Sequence, residues 1–169
     1  MKKLCLAFLL LCLCMLKGRS QSCVEVFTYH PMGRPVLLFQ DTSCTEIGAA
    51  LFPLYSEYIE CTNDMVGYIV HIVADCGCCF RLDSDGMGLF IRKGDVAINT
   101  RNYDEKELFL YANPNIDSLC VNMGKGERTL RVWGISDNWI YTEIEENGSI
   151  IKGWIPPEMI CGNPFTPCC

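Results

Sequence analysis

Between Thr129 and Ile160 apolar and polar residues alternate in three runs: one around Trp133, one from Trp139 to Ile144, and one closing on Gly153-Trp154-Ile155. Alternation with a period of two turns one side of a strand to a core and the other to water, so these runs predict three strands. Asn147-Gly148 falls between the second and third. That pair accepts the two left-handed positions of a tight hairpin turn, and the stretch reads as an antiparallel meander. Helical periodicity is almost absent from the chain, and short strands at this spacing predict an all-β fold closed into small barrels, which removes open sheet edges.

The same pattern extends upstream. Cys23–Tyr29 alternates as an opening strand, His30-Pro31-Met32-Gly33-Arg34-Pro35 turns it, and Val36–Phe39 follows as a short strand. Ser43–Ala50 is polar and small, which predicts a loop or short helix. Leu51–Tyr55 leads into Tyr58–Cys61, and Val66–Val73, the most β-branched run, predicts a central strand apolar on both faces. Gly77 and Asp83-Ser84-Asp85-Gly86 mark turns. Leu108–Tyr111, with Ala112-Asn113-Pro114-Asn115 behind it, looks like a repeat of Cys23–Tyr29 and its proline turn. Gly88–Val96 falls where Lys152–Ile160 falls in the second unit, which puts Phe90 in the place of Trp154.

The order Val132-Trp133-Gly134-Ile135-Ser136-Asp137-Asn138-Trp139-Ile140, followed by Lys152-Gly153-Trp154-Ile155, resembles the bacterial SH3-like (SH3b) domain over roughly Glu107 to Cys161. Leu110-Tyr111-Ala112-Asn113-Pro114-Asn115 is similar to that family's opening strand and loop. The resemblance implies two SH3-like β-barrels in tandem. They would span a divergent unit at 23–98, a polar linker at 99–106, and a second unit at 107–169 with a Cys/Pro-rich tail. The first unit lacks the tryptophans and carries extra residues around Cys76 to Asp85. The resemblance also implies a non-catalytic binding module of the bacterial cell envelope that recognises a cell-wall peptide or an envelope protein. Tyr111, Trp133 and Tyr141 are the expected ligand-binding residues, with Trp139 and Trp154 in the structural core.

Residues 1–22 read as a secretory signal, with Lys2-Lys3, an apolar core from Leu4 to Leu16, and small residues before Cys23. The expected location is therefore the periplasm or the extracellular space, with a lipid anchor at Cys23 as the less favoured form. No other stretch nears the ~20 apolar residues of a spanning helix, so the mature chain is expected to have no transmembrane segment. Of thirteen cysteines, Cys5, Cys12 and Cys14 lie in the leader. Cys23, Cys44, Cys61, Cys76, Cys78, Cys79, Cys120, Cys161, Cys168 and Cys169 remain, and in an exported chain an even, dense set predicts disulfides. The net charge of −6 and the lack of a basic stripe argue against a nucleic-acid partner.

Catalytic and metal chemistry find little purchase in the sequence. A cysteine nucleophile needs an imidazole in reach, and the histidines are His30, in a turn, and His71, in a strand. The alternative function is a thiol-dependent enzyme, a peptidase or redox protein, built on the Cys76 to Cys79 cluster. Structural zinc ordinarily needs two cysteine pairs, and Cys76-x-Cys78-Cys79 has no second pair in sequence, so no metal or other cofactor is expected. Asp83-x-Asp85-Gly86 opens like a calcium loop but lacks the closing glutamate, and reads as a turn.

Overall fold

Strand β1 (Val24–Pro31) is the expected opening strand, and it runs two residues into the turn assigned to His30 and Pro31. The computed structural model describes residues 23–53, 64–101 and 106–161. The leader, the run from Leu54 to Cys61 and the tail with Cys168 and Cys169 lie outside them. The strands that follow are β2 (Val36–Phe39), β3 (Ile47–Leu51), β4 (Asp64–Asp75), β5 (Cys79–Leu82), β6 (Phe90–Arg92) and β7 (Val96–Thr100). After these come β8 (Phe109–Tyr111), β9 (Cys120–Asn122), β10 (Thr129–Ser136), β11 (Trp139–Glu146), β12 (Ser149–Ile155) and β13 (Ile160–Cys161), with a 3₁₀ turn at Pro157–Met159. The described residues are all-β, as their alternation predicts.

All the described strands join one antiparallel sheet in the order β3-β2-β6-β5-β4-β1-β7-β10-β11-β12-β8-β9, with β13 also on β7. The pairing repeats with a shift of six strands. Strand β1 pairs with β4 and β7, and β7 pairs with β10 and β13. Strand β2 pairs with β3 and β6, and β8 pairs with β9 and β12. Thus β7 closes the first set and opens the second. Its Val96, Ala97, Ile98 and Thr100 are all buried, and one hydrophobic cluster runs from Val24 and Phe80 in the first set to Ile140 and Ile155 in the second.

This pairing corrects the alignment of the repeat. Val36–Phe39, not Cys23–Tyr29, is the counterpart of Phe109–Tyr111, because β2 and β8 hold equivalent places in the ladders. Both candidates are short apolar strands in the sequence, and only long-range pairing distinguishes them. Phe90 lies opposite Phe39 and Arg81, as Trp154 lies opposite Tyr111 and Tyr141. The span read as a linker starts inside β7, which holds Asn99 and Thr100.

Two further expectations change. Residues 47–50 of the stretch read as loop or helix form β3 together with Leu51 and pair with β2 from Val36↔Leu51 to Phe39↔Ile47. Glycine and alanine carry no alternation, so the backbone ladder alone makes this strand. Strand β4 is not buried on both faces: Tyr68, Ile69 and His71 are exposed while Ile72 is buried. The Asn147-Gly148 turn is as expected, with φ of 52° and 75° at its two positions and Glu146 opposite Ser149.

Candidate functional site

Alternation along β11 and β12 sends Ile140, Thr142, Ile144, Gly153 and Ile155 into the core and leaves Trp139, Tyr141 and Trp154 half-buried on the outer face. The short β8 does the same, burying Leu110 and turning Phe109 and Tyr111 outward. Register aligns them: Tyr141 lies opposite Trp154, Trp154 opposite Tyr111, and Tyr111 opposite Cys120. Strands sit about 4.8 Å apart, so the row crosses four strands within roughly 15 Å. The Tyr141 and Trp154 rings are 5.2 Å apart at 53°, and Tyr111 meets Trp139 edge-on at 5.4 Å and 89°. Phe109 tilts against Tyr111 at 6.5 Å. Trp139 and Trp154, expected in the core, belong to this outer row, because the inward positions of their strands are taken by isoleucines.

Charged groups frame the row. On the same face, Lys152 donates a hydrogen bond to Glu143, which keeps the lysine ammonium protonated above its usual range. At the other side, Lys93 Nζ stands 2.7 Å from an Asp75 carboxylate oxygen, and Asp75 also accepts from the Ile135 backbone N–H at 3.3 Å. Asp75 therefore ties the end of β4 to β10. Its Oδ2 and the far edge of the Trp154 ring lie 3.8 and 3.7 Å from the space above the Gly134 Cα. Burial, followed by the nearby Cys120 and Glu158, pushes the Tyr111 hydroxyl pKa up.

Trp133, expected with Tyr111 and Tyr141, is placed elsewhere. It caps the turn at Gly94, where even a methyl group would come within 2.7 Å of the indole. The Arg131 guanidinium stacks 5.0 Å from Trp133 and 5.6 Å from Tyr29, and its Nε donates to the Gly94 carbonyl at 2.7 Å. Trp133 thus joins β10 to the turn before β7. That is packing between the two sets of strands.

A second cluster gathers at the turn of the β4–β5 hairpin, directly after Asp75. Asp41 accepts hydrogen bonds from Ser43, Thr45 and the Glu46 N–H, which hold its carboxyl well below the usual range and fix the β2–β3 loop. That loop carries Cys44, buried and at a left-handed φ of 56°. The Sγ atoms of Cys44, Cys78 and Cys79 lie within 4.8 Å of one another. Cys78 and Cys79 both donate to the Thr42 carbonyl, at 3.0 and 3.3 Å. Arg92 donates to the Cys44 carbonyl at 3.1 Å and stacks on Phe39, and Cys76 packs against the same group. Burial, with the neighbouring thiols, pushes the Cys79 thiol up to about 12, and burial raises Cys44 as well.

Cys23, Cys44, Cys76, Cys78, Cys79 and Cys120 are free thiols in the structure, where the sequence predicts bridges. Cys161 is disulfide-bonded. Neither histidine joins the cysteines. His30 is buried between the Thr28 hydroxyl and the Arg34 carbonyl, each at 2.9 Å, and His71 pairs with Glu25 at 3.4 Å. The Asp83–Gly86 segment is a turn, as expected, with positive φ at Asp85 and Gly86. Sequence reasoning missed Cys44 as a partner of Cys78 and Cys79, and missed Asp75 and Lys93. No local pattern links residues that meet only through the sheet.

No family model and no curated protein matches the chain. Among solved structures, NlpC2 from Trichomonas vaginalis aligns at 14% identity with a TM-score of 0.32, covering 83% of this chain and 48% of that one. NlpC1 from the same organism aligns at 14% identity with a TM-score of 0.34, covering 85% and 47%. The chain thus spans about half the length of each.

Proposed function

We propose that the protein is an exported, non-catalytic binding module of the bacterial cell envelope, built from two SH3-like units that share β7 and recognising a cell-wall peptide or a segment of an envelope protein. The observation that carries the reading is the register that aligns Tyr141, Trp154 and Tyr111 across three strands as a half-buried aromatic row. Half-buried aromatic rings offer large, rigid contact area at small entropic cost, and aromatic-lined grooves suit extended or proline-containing chains. The polar pairs Asp75–Lys93 and Glu143–Lys152 beside it would orient a peptide backbone. Export is supported by the leader pattern of residues 1–22 and by the cystine at Cys161, which needs an oxidising compartment.

Titration of the mature chain with proline-containing and cell-wall stem peptides, followed by tryptophan fluorescence, tests the reading. Saturable quenching that is lost in Tyr111→Ala/Tyr141→Ala is the expected result. Equal binding by the folded double variant sinks the row as the site. A thiol enzyme with Cys79 as its nucleophile has the opposite electrostatics, since a nucleophilic cysteine needs its pKa lowered and Cys79 is pushed up.

A further inference from the structure

Cysteines that follow one another in a chain rarely aim their sulfurs at one point, yet Cys78 and Cys79 share the Thr42 carbonyl as acceptor, at 3.0 and 3.3 Å. Cys78 is still in the hairpin turn while Cys79 opens β5, so the alternation of a strand does not separate them. Opposite them, the Asp41 network and the left-handed backbone at Cys44 bring a third sulfur inward, and all three lie within 4.8 Å of one another.

We infer that Cys44, Cys78 and Cys79 form a binding site for a thiophilic divalent ion of the zinc type. Around a tetrahedral zinc, sulfurs at Zn–S distances of about 2.3 Å stand roughly 3.8 Å apart, which lies within the 4.8 Å limit that the three sulfurs observe. A disulfide would take only two of the three converging sulfurs and strand the third; a metal takes all three. Cys76 packs against Phe39, Cys44 and Cys79, outside the three converging sulfurs, so the fourth tetrahedral position is left to a ligand from solution. On binding, each thiol gives its proton to solvent and its sulfur lone pair to the ion, so three thiolates and one divalent cation carry a net single negative charge. The Arg92 side chain, hydrogen-bonded and attracted to Cys44, lies beside that charge. The spacing of Cys76-x-Cys78-Cys79 is tighter than that of an ordinary structural zinc pair and has no second pair in sequence; the fold adds to it one further cysteine, Cys44, from 32 residues upstream of Cys76.

The test is metal content and Co²⁺ spectroscopy on the full mature chain, purified without reductant and again after anaerobic reduction. About one equivalent of zinc per chain is expected, with Co²⁺ giving the intense visible bands of a tetrahedral thiolate site. Cys78→Ser, at an exposed position with little risk to folding, should abolish the bands, as should Cys44→Ser, whereas Cys120→Ser should leave them intact. Absence of Co²⁺ bands in the reduced wild-type chain overturns the site. So does a peptide map of unreduced protein showing Cys44 bridged to Cys78 or Cys79.

Discussion

Tyr141 and Trp154 face each other across the β11–β12 ladder with ring centroids 5.2 Å apart, and Tyr111 continues their line on β8. The fold thereby assembles from three segments a surface that no single segment displays. Tyr141→Ala should cost about 0.5–1.5 kcal/mol of stability from the lost ring pair alone, a modest fall in denaturation midpoint, while weakening peptide binding far more. Parallel chemical denaturation and fluorescence titration of the variant distinguish the two effects. A variant that loses stability but binds normally would make the pair purely structural.

Gly153 lies where β12 crosses β8, and an added Cβ would stand 2.8 Å from the Leu110 Cβ and 3.1 Å from the Tyr111 carbonyl. Neither atom is the free end of a flexible chain. Gly153→Ala should therefore destabilise the protein by about 1–3 kcal/mol, as overpacking does, and displace Tyr111 from the row. Thermal unfolding reads the first effect, and tyrosine ring shifts in NMR read the second.

Asp75 and Lys93 are 19–25% exposed along their side chains, and Asp75 also holds the Ile135 N–H. A double-mutant cycle of Asp75→Asn and Lys93→Met should give a coupling of about 0.5–1 kcal/mol, falling with added salt. Asp75→Asn alone should also perturb the Ile135 amide resonance. An unchanged Ile135 amide would remove Asp75 as a tie between the strand sets.

Burial lowers the pKa of His30, outweighing its hydrogen bond to the Arg34 carbonyl and the attraction of Asp95. The folded state thus holds His30 neutral while the unfolded chain takes up a proton near pH 6.5, so between the two values the unfolded state binds more protons. Stability is full above that pH and is lost as pH falls through the folded value. Partial burial raises the pKa of Asp95 against the attraction of Arg131, Arg92 and His30, and this group acts with the opposite sign at lower pH. Denaturation midpoints from pH 8 to pH 5 should fall for the wild type and fall less for His30→Gln. Parallel profiles would assign the acid sensitivity elsewhere.

The sequence by itself determined the all-β class, the strands β1, β2, β11 and β12, and the hairpin at Asn147-Gly148, because alternation and turn chemistry are local and act before any long-range contact forms. Tyr111 and Tyr141 are named as surface candidates, together with Trp133, by the SH3b resemblance and not by the period of two. Only the tertiary structure decided that β7 serves both sets of strands, that β2 rather than β1 matches β8, and that Trp133 packs on Gly94 while Trp154 joins the aromatic row. The approach of Cys44 to Cys78 and Cys79 and of Asp75 to Lys93 was likewise settled there. These relations depend on which strands pair and in what register, which is set by the burial of the whole sheet at once and leaves no trace in the spacing of neighbouring residues.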